Sequence, residues 1–252
     1  MRGQRIPVGI LFCLLGAALA LGEADSPNPT TGAGLASGRP ATVIGFLGGF
    51  VKPGARVHST VQLAEHLRQE FPTGLYVKVF QNHHGDEAYR ELLKHLDTDN
   101  DGTLSPQEKR QARIIIYGHS WGASETVHLA RRLEKAGIPV LLTIQVDSVS
   151  KHGENDGVIP ANVGEAVNFY QPHGWVHGRS RIRAEDPEHT EIVGNFRFDY
   201  SESPIDCEGY PWFNRLLIRP HTEIECDPKV WGQVEDLIES KLSPDLRQAS
   251  AR

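Results

Sequence analysis

Short apolar segments of strand length alternate with segments of helical period from residue 41 onward in this 252-residue chain. The apolar runs predict strands at residues 41–46, 75–80, 113–117, 140–146 and 166–170. The intervening segments predict helices at residues 56–71, 86–96 and 123–136, and a last helix that begins at Pro228 after the N-cap Asp227. Because such alternation builds a parallel sheet covered on both faces, the predicted fold class is α/β, with a mostly parallel central sheet flanked by helices.

Residues 180–200 interrupt this alternation. Two strand-like patterns joined by an Asp186-Pro187 turn predict a β-hairpin inserted ahead of the last helix. The hairpin would either extend the edge of the sheet or form a wall or lid over a substrate pocket, and the sequence leaves both interpretations open.

The N-terminus has the order of features found in a secretory signal peptide. Arg2 and Arg5 precede an apolar run at residues 10–15, and the small-x-small triplet Ala18-Leu19-Ala20 follows. Residues 1–20 are therefore predicted to be a signal peptide, residues 21–40 a flexible leader, and residues 41–252 the folded domain. The predicted location is secreted or periplasmic. Beyond residue 22 no segment approaches the ~18 apolar residues of a membrane helix, so no stable membrane insertion is expected after cleavage.

The net charge bears on the possible partners, and the cysteine content on a possible disulfide. The chain carries 26 basic and 32 acidic residues, a net charge of −6, which repels phosphate backbones and predicts no nucleic-acid partner. Export would leave Cys207 and Cys226 as the remaining cysteines, and an even pair in an oxidising compartment predicts a disulfide. The alternative is two unpaired buried thiols.

The pentapeptide Gly118-His119-Ser120-Trp121-Gly122 lies between a predicted strand and a predicted helix. This is the G-x-S-x-G pattern in the context that its chemistry requires, because the sharp turn lifts the serine hydroxyl above the sheet. Ser120 is therefore the predicted nucleophile. The backbone N–H of Trp121, at the start of the helix, is a predicted donor to a developing oxyanion.

These features resemble the α/β-hydrolase superfamily over residues 41–242, and more loosely its lipase, esterase and thioesterase members. The resemblance implies a catalytic order of serine, acid and histidine along the chain. His221 fits the histidine, since it follows a strand-like segment at residues 216–219 and precedes the last helix. A Cys207–Cys226 bridge would close a loop around it. Asp147, at the end of the 140–146 strand, is the preferred acid, and Asp156 is its rival.

The same resemblance suggests a second oxyanion donor. The segment Val43-Ile44-Gly45-Phe46 is similar to the family's V-H-G-x motif, with Ile44 in place of the usual histidine. The backbone N–H of Phe46 would then be the donor, or that of Leu47 after a shift of one residue.

A twelve-residue segment at residues 97–108 matches the EF-hand calcium loop. Gly102 permits the sharp bend, Leu104 anchors the loop, and Ser105 occupies a further liganding position. The predicted metal ligands are Asp97, Asp99, Asp101, the carbonyl of Thr103, and Glu108. Because the sequence has one such loop and EF-hand sensors work in pairs, the predicted role of Ca²⁺ is structural.

Together these patterns predict a secreted, calcium-stabilised serine hydrolase that cleaves a small carboxylic ester or thioester through an acyl-enzyme on Ser120. Two alternatives remain at this stage. One is a non-catalytic calcium-binding module on a hydrolase fold, and the other is an acyltransferase that uses the same serine.

Overall fold

The computed structural model describes residues 40–151 and 153–242. The predicted signal peptide and leader lie outside the described residues, apart from residue 40. The central sheet contains six strands in the spatial order β2-β1-β3-β4-β6-β8, and every neighbouring pair is parallel. These strands are β1 (Ala41–Leu47), β2 (Leu75–Gln81), β3 (Ile114–His119), β4 (Val140–Val146), β6 (Val163–Tyr170) and β8 (Glu191–Arg197). The short strands β5 (Val158–Ile159) and β7 (Arg183–Ala184) pair separately.

Seven helices connect or follow these strands in the described part of the chain. They are α1 (Ser59–Glu70), α2 (Gly85–Leu96), α3 (Pro106–Arg110), α4 (Trp121–Lys135), α5 (Trp212–Leu217), α6 (Arg219–Cys226) and α7 (Pro228–Ser240). None of them is long and apolar enough to cross a membrane.

The alternating side chains of β3 show how the two faces of the sheet are covered. Ile115 and Tyr117 pack into a core that includes Leu67 of α1 and Trp231 of α7. Ile114 and Ile116 point to the opposite core, which the apolar faces of α2 and α4 complete. Every residue of β3 is buried, as expected for a central strand between two helical layers. The α/β fold class predicted from the sequence is confirmed.

The predicted hairpin at residues 180–200 is wrong. Strand β8 pairs in parallel with β6, and β7 pairs in parallel with β5 rather than with β8. Contacts with the sheet outweigh the local turn signal, because Phe196 stacks on Phe169 of β6 with 5.4 Å between ring centroids. The Asn168 amide also donates a hydrogen bond to Asn195. This segment therefore extends the edge of the sheet, which was one of its two predicted roles.

The strand-like segment predicted at residues 216–219 is also wrong. These residues span the junction between α5 and α6, so His221 lies in the first turns of a helix rather than in a loop. A short apolar run has the same composition in a strand and in a helix, and periodicity alone cannot separate them over four residues. Pro220, near the start of α6, is compatible with a helix there because the first turn has no partner for its missing N–H.

Candidate active site

The turn from β3 into α4 places Ser120 in a backbone conformation that is rare for any residue except glycine. Its φ is 57° and its ψ is −126°. The flanking glycines make the turn possible, because a Cβ added to Gly118 would lie 2.5 Å from the Gly122 carbonyl oxygen. One added to Gly122 would lie 2.3 Å from the carbonyl oxygen of Phe46. Backbone strain of this kind is common at nucleophilic serines.

The structure brings Ser120, His221 and Asp147 into one hydrogen-bonded chain. Nε2 of His221 lies 2.9 Å from Oγ of Ser120, and Nδ1 lies 2.6 Å from Oδ2 of Asp147. A carboxylate oxygen can only accept, so Nδ1 carries the proton and Nε2 is left to accept from the serine hydroxyl. All three side chains are buried. The residues come from three elements that are far apart in sequence.

Asp147 follows β4 directly and is fully buried, with a φ of 44°. Its Oδ1 accepts a hydrogen bond from the backbone N–H of Gly178 at 2.7 Å. Its Oδ2 accepts one from the side-chain amide of Gln171 at 2.9 Å. These donors compensate for the loss of water around the buried carboxylate and fix the oxygen that faces His221.

Asp156, the rival acid, lies elsewhere. It forms a two-point ion pair with Arg179, whose Nε and Nη2 lie 2.8 Å and 2.6 Å from Oδ1. Ser148 also donates to Asp156 at 2.5 Å. The carboxylate is thus part of the scaffold behind the site, and Asp147 is the one of the two that contacts His221.

Phe46 is not among the residues that line the cavity beside Ser120, and its role as an oxyanion donor stays a prediction. Its side chain is buried between the sheet and the helices, and its backbone lies inside β1, opposite Phe80 of β2 and Gly118 of β3. Strand β1 continues through Leu47, one residue further than predicted, so the turn that follows begins later. Gly48 and Gly49 of that turn line the cavity beside Ser120 together with Trp121, which opens α4 as expected.

This cavity has a volume of about 260 Å³ and opens beside Ser120 and His221. Its apolar wall consists of Phe50, Val51, Trp121, Val149, Val176 and Ile218. No residue of the 180–200 segment lines it, so that segment is not a lid over this cavity.

Helix α5 lies close to the cavity and has no buried residue. Asn214 of α5 and Ile218 just after it line the cavity. We call the exposed apolar side chains of α5 together with two others the apolar rim: Phe50, Trp175, Trp212, Phe213, Leu216 and Leu217. Phe50 is 93% exposed and touches Trp121, with 5.5 Å between ring centroids. The indole N–H of Trp175 donates to the carbonyl of Leu217 at 2.6 Å and so joins two parts of the rim.

Three further residues of the site were not predicted from the sequence. His58 and Glu225 form a buried pair, with 2.6 Å between Nδ1 and Oε1. His119 lies 3.6 Å from Oε2 of Glu225 through its Nδ1, and its ring centroid is 4.5 Å from that of His221. Burial lowers the pKa of His119 to about 4, so the ring is neutral at physiological pH. His119 stands inside the serine motif, but no sequence signal marks His58 or Glu225.

The predicted calcium loop connects α2 to α3. Carboxylate oxygens of Asp97, Asp99 and Glu108 lie within 4.8 Å of one another, an oxygen-only donor set that suits a hard cation. Glu108 accepts hydrogen bonds from the backbone N–H groups of Thr98 and Ser105 at 2.8 Å and 3.0 Å. These bonds, with those from the same two hydroxyls, lower the pKa of Glu108 to about 2.

The other two predicted calcium ligands contact each other. The Asp101 carboxylate accepts from the backbone N–H of Thr103 at 2.7 Å. Asp97 accepts from the backbone N–H of Gly102 at 2.9 Å, where the positive φ of Gly102 allows the bend that the sequence predicted.

No protein-family model and no curated protein matches the sequence. Among solved structures, the chain is similar to an uncharacterized protein from Pseudomonas aeruginosa, with 10% identity and a TM-score of 0.47. The alignment covers 83% of this chain and 52% of that one, so the chain spans about half the length of that protein.

Two further similar structures are those of enzymes. Human thioesterase 2 is 11% identical with a TM-score of 0.42, over 84% of this chain and 98% of that one. A thermostable esterase from Pseudomonas putida is 10% identical with a TM-score of 0.43, over 81% and 74%.

Proposed function

We propose that this protein is a serine hydrolase that cleaves a carboxylic ester or thioester through an acyl-enzyme on Ser120. The observation that carries the proposal is the buried hydrogen-bonded chain from Ser120 through His221 to Asp147. A serine hydroxyl is a weak nucleophile at neutral pH, and an adjacent base held by a carboxylate activates it.

In the first half of the reaction, Oγ of Ser120 attacks the acyl carbon while its proton moves to Nε2 of His221. Asp147 holds the ring in the tautomer that can accept this proton and stabilises the resulting imidazolium. The backbone N–H of Trp121 donates to the oxyanion, and the Gly48–Gly49 turn is the neighbouring backbone from which a second donor can come. His221 then returns the proton to the departing alcohol or thiol.

In the second half, His221 takes a proton from water as the water oxygen bonds to the acyl carbon. The ester bond to Ser120 breaks, the proton passes back to Oγ, and the carboxylic acid leaves.

The experiment compares two buried serines only four residues apart. Ser120→Ala should abolish covalent labelling by a fluorophosphonate probe and hydrolysis of p-nitrophenyl butyrate. Ser124→Ala is the control, because Ser124 is also buried but its hydroxyl donates to Glu154 at 3.1 Å. Labelling of Ser120→Ala at the wild-type level would refute the proposed nucleophile.

The apolar rim supports a substrate with an apolar acyl chain, which the rim would bind. A contiguous exposed apolar patch commonly marks an interaction site. Each methylene of the substrate that is buried there would contribute about 0.8 kcal/mol to binding. We expect Leu216→Asn to lower kcat/KM for p-nitrophenyl octanoate by about threefold or more and to leave the acetate unchanged. Val193→Asn, an exposed apolar position on β8, is the control. Equal losses on both esters would exclude the rim from acyl-chain binding.

We also propose that residues 97–108 bind Ca²⁺ in a structural role. The support is the spacing of the acidic residues, the oxygen-only donor set and the place of the loop between α2 and α3, directly ahead of the strand that leads to Ser120. The ion would offset the repulsion between Asp97, Asp99 and Glu108 and contact no substrate.

We further propose that the hydrolase is exported to an oxidising compartment. It is supported by the order of charged, apolar and small residues at the N-terminus and by the Cys207–Cys226 disulfide that the structure contains. N-terminal sequencing of the protein recovered from the medium or periplasm should show a chain that starts after Ala20. Recovery from the cytoplasm with Met1 intact would refute export.

A further inference from the structure

The cavity beside Ser120 contains a second carboxylate–histidine pair for which the hydrolytic mechanism has no use. Glu225 and His58 are joined at 2.6 Å, and both line the cavity with Ser120 and His221. Glu225 and His221 lie on the same helix, α6, one turn apart. The site thus holds two buried acid–histidine pairs side by side, and the ring of His119 lies between them.

The charge on Glu225 is maintained in spite of its burial. Burial favours the protonated carboxyl, but the hydrogen bond from His58 acts against it, and the pKa of Glu225 lies below its ordinary value. The charge of protonated His221 acts in the same direction. Removing water from a carboxylate is costly unless something compensates, so this arrangement is unlike ordinary core packing.

His119 does not neutralise that charge. Neither of its ring nitrogens has a hydrogen-bond partner among the described residues, and its Nδ1 is 3.6 Å from Glu225, too far for a good bond. The ring is tilted 33° from the plane of His221, with centroids 4.5 Å apart, so it fills the space between the carboxylate and the catalytic imidazole. Glu225 and His221 are both buried, and charges interact more strongly in such surroundings than in water.

We propose that Glu225 is a positioning residue whose negative charge, acting across the ring of His119, stabilises the imidazolium that His221 becomes during acyl transfer. His58 holds the carboxylate in place. This inference rests on the proposed function. The proton that charges His221 comes from Ser120 as its Oγ bonds to the acyl carbon, and no further reactant is needed. Because His221 is charged only after this transfer, the attraction favours the transition state over bound substrate and acts on kcat.

Few other titratable groups face this cluster. Tyr210 packs its ring edge against His58 at 5.1 Å, and burial raises the pKa of its hydroxyl above the ordinary value, so it stays neutral. Asp147 faces His221 from the end of β4. Glu223, two residues before Glu225 on α6, pairs with Arg219 at 3.1 Å instead.

The test uses these two buried glutamates of α6. We expect Glu225→Gln to lower kcat for p-nitrophenyl butyrate about tenfold with KM within twofold of wild type. The acid limb of the kcat/KM profile should move to lower pH by about one unit, since an imidazolium that loses a nearby anion releases its proton more readily. Glu223→Gln should leave the acid limb at its wild-type pH. Glu225→Asp retains the negative charge, so its acid limb should lie between those of Glu225→Gln and the wild type.

The possible results separate the two proposals. A Glu225→Gln variant with reduced kcat but the wild-type acid limb would show a merely structural role and overturn the inference, while the hydrolase proposal would stand. Absence of turnover that depends on Ser120 in the wild type would overturn both. If Glu225→Gln does not fold, the double variant His58→Leu, Glu225→Leu removes both partners of the pair together, and the same shift of the limb is expected.

Discussion

Gly122 is a residue at which neighbouring backbone leaves no room for a side chain. A Cβ there would lie 2.3 Å and 2.6 Å from the carbonyl oxygens of Phe46 and Leu47, and backbone atoms of a central strand cannot move aside cheaply. We expect Gly122→Ala to lower the free energy of unfolding by about 2–3 kcal/mol, measured by urea denaturation.

Gly232 is the matched control for that substitution, since it also lies in a helix, α7. An added Cβ there would meet nothing within 4 Å. Gly232→Ala should therefore raise the free energy of unfolding by about 1 kcal/mol through helix propensity alone. Equal effects of the two substitutions would contradict the argument from close packing at the serine turn.

The sequence predicted the residues of the site whose signals are local. Ser120 stands in a five-residue motif, and Asp147 directly follows a predicted strand. His221 was predicted from its place ahead of the last helix, although the strand expected before it is a junction between two helices. The end of β1 was predicted one residue too early, because it depends on pairing with β2 and β3, which the sequence does not reveal. His58 and Glu225 are 167 residues apart and meet only through the packing of α6 near the start of α1.

At the scale of elements, α6 carries His221, Glu225 and Cys226, so one helix holds the base, the second carboxylate and a disulfide sulfur. The Cys207–Cys226 bridge spans 19 residues and confirms the predicted pairing. A cross-link over a loop of this length restricts the unfolded chain and thereby raises the free energy of unfolding by about 3 kcal/mol.

Removing that bridge should therefore cost stability. For Cys207→Ser, Cys226→Ser we expect a fall in Tm of about 6–12 °C by calorimetry, since 1 kcal/mol shifts the Tm of a domain of this size by about 2–4 °C. Wild-type protein scanned in the same buffer with and without reductant provides the comparison. A double variant with the wild-type Tm would show that the bridge contributes nothing to stability.

Central elements were predicted better than peripheral ones. Strands β1, β3 and β4 are fully or almost fully buried and consist of apolar runs that only a covered strand can use. Helix α5 and strand β8 lie at the surface, where side chains are a mixture of polar and apolar types. The conformation of β8 is set by its pairing with β6, and that of α5 by its junction with α6. The local sequence pattern therefore did not predict either element correctly.

At the scale of the whole molecule, the calcium proposal makes a prediction about thermal stability. If the ion binds the folded loop alone, saturation at about a hundred times its Kd adds roughly 2.7 kcal/mol. We expect millimolar CaCl₂ to raise Tm by about 5 °C or more relative to EDTA. Asp99→Asn should abolish the difference, and Asp206→Asn, an exposed acidic residue outside the loop, should preserve it. The same Tm for wild type in CaCl₂ and in EDTA would refute the structural role.

The fold class as a whole followed from alternation, because the strands and helices between residues 41 and 170 form one repeated pattern and single errors do not change it. A wrong strand near residue 216 altered the description of one loop but not the layering of the sheet and helices.

The left-handed conformations of Ser120 and Asp147 have a consequence for the evolution of this chain. Each costs on the order of 1–3 kcal/mol and persists because its surroundings impose it. A laboratory selection for heat resistance alone would therefore favour glycine or a relaxed turn at Ser120, the residue on which turnover depends. The selected variants would be stable to heat but inactive, so a screen should measure thermal stability and hydrolytic activity together.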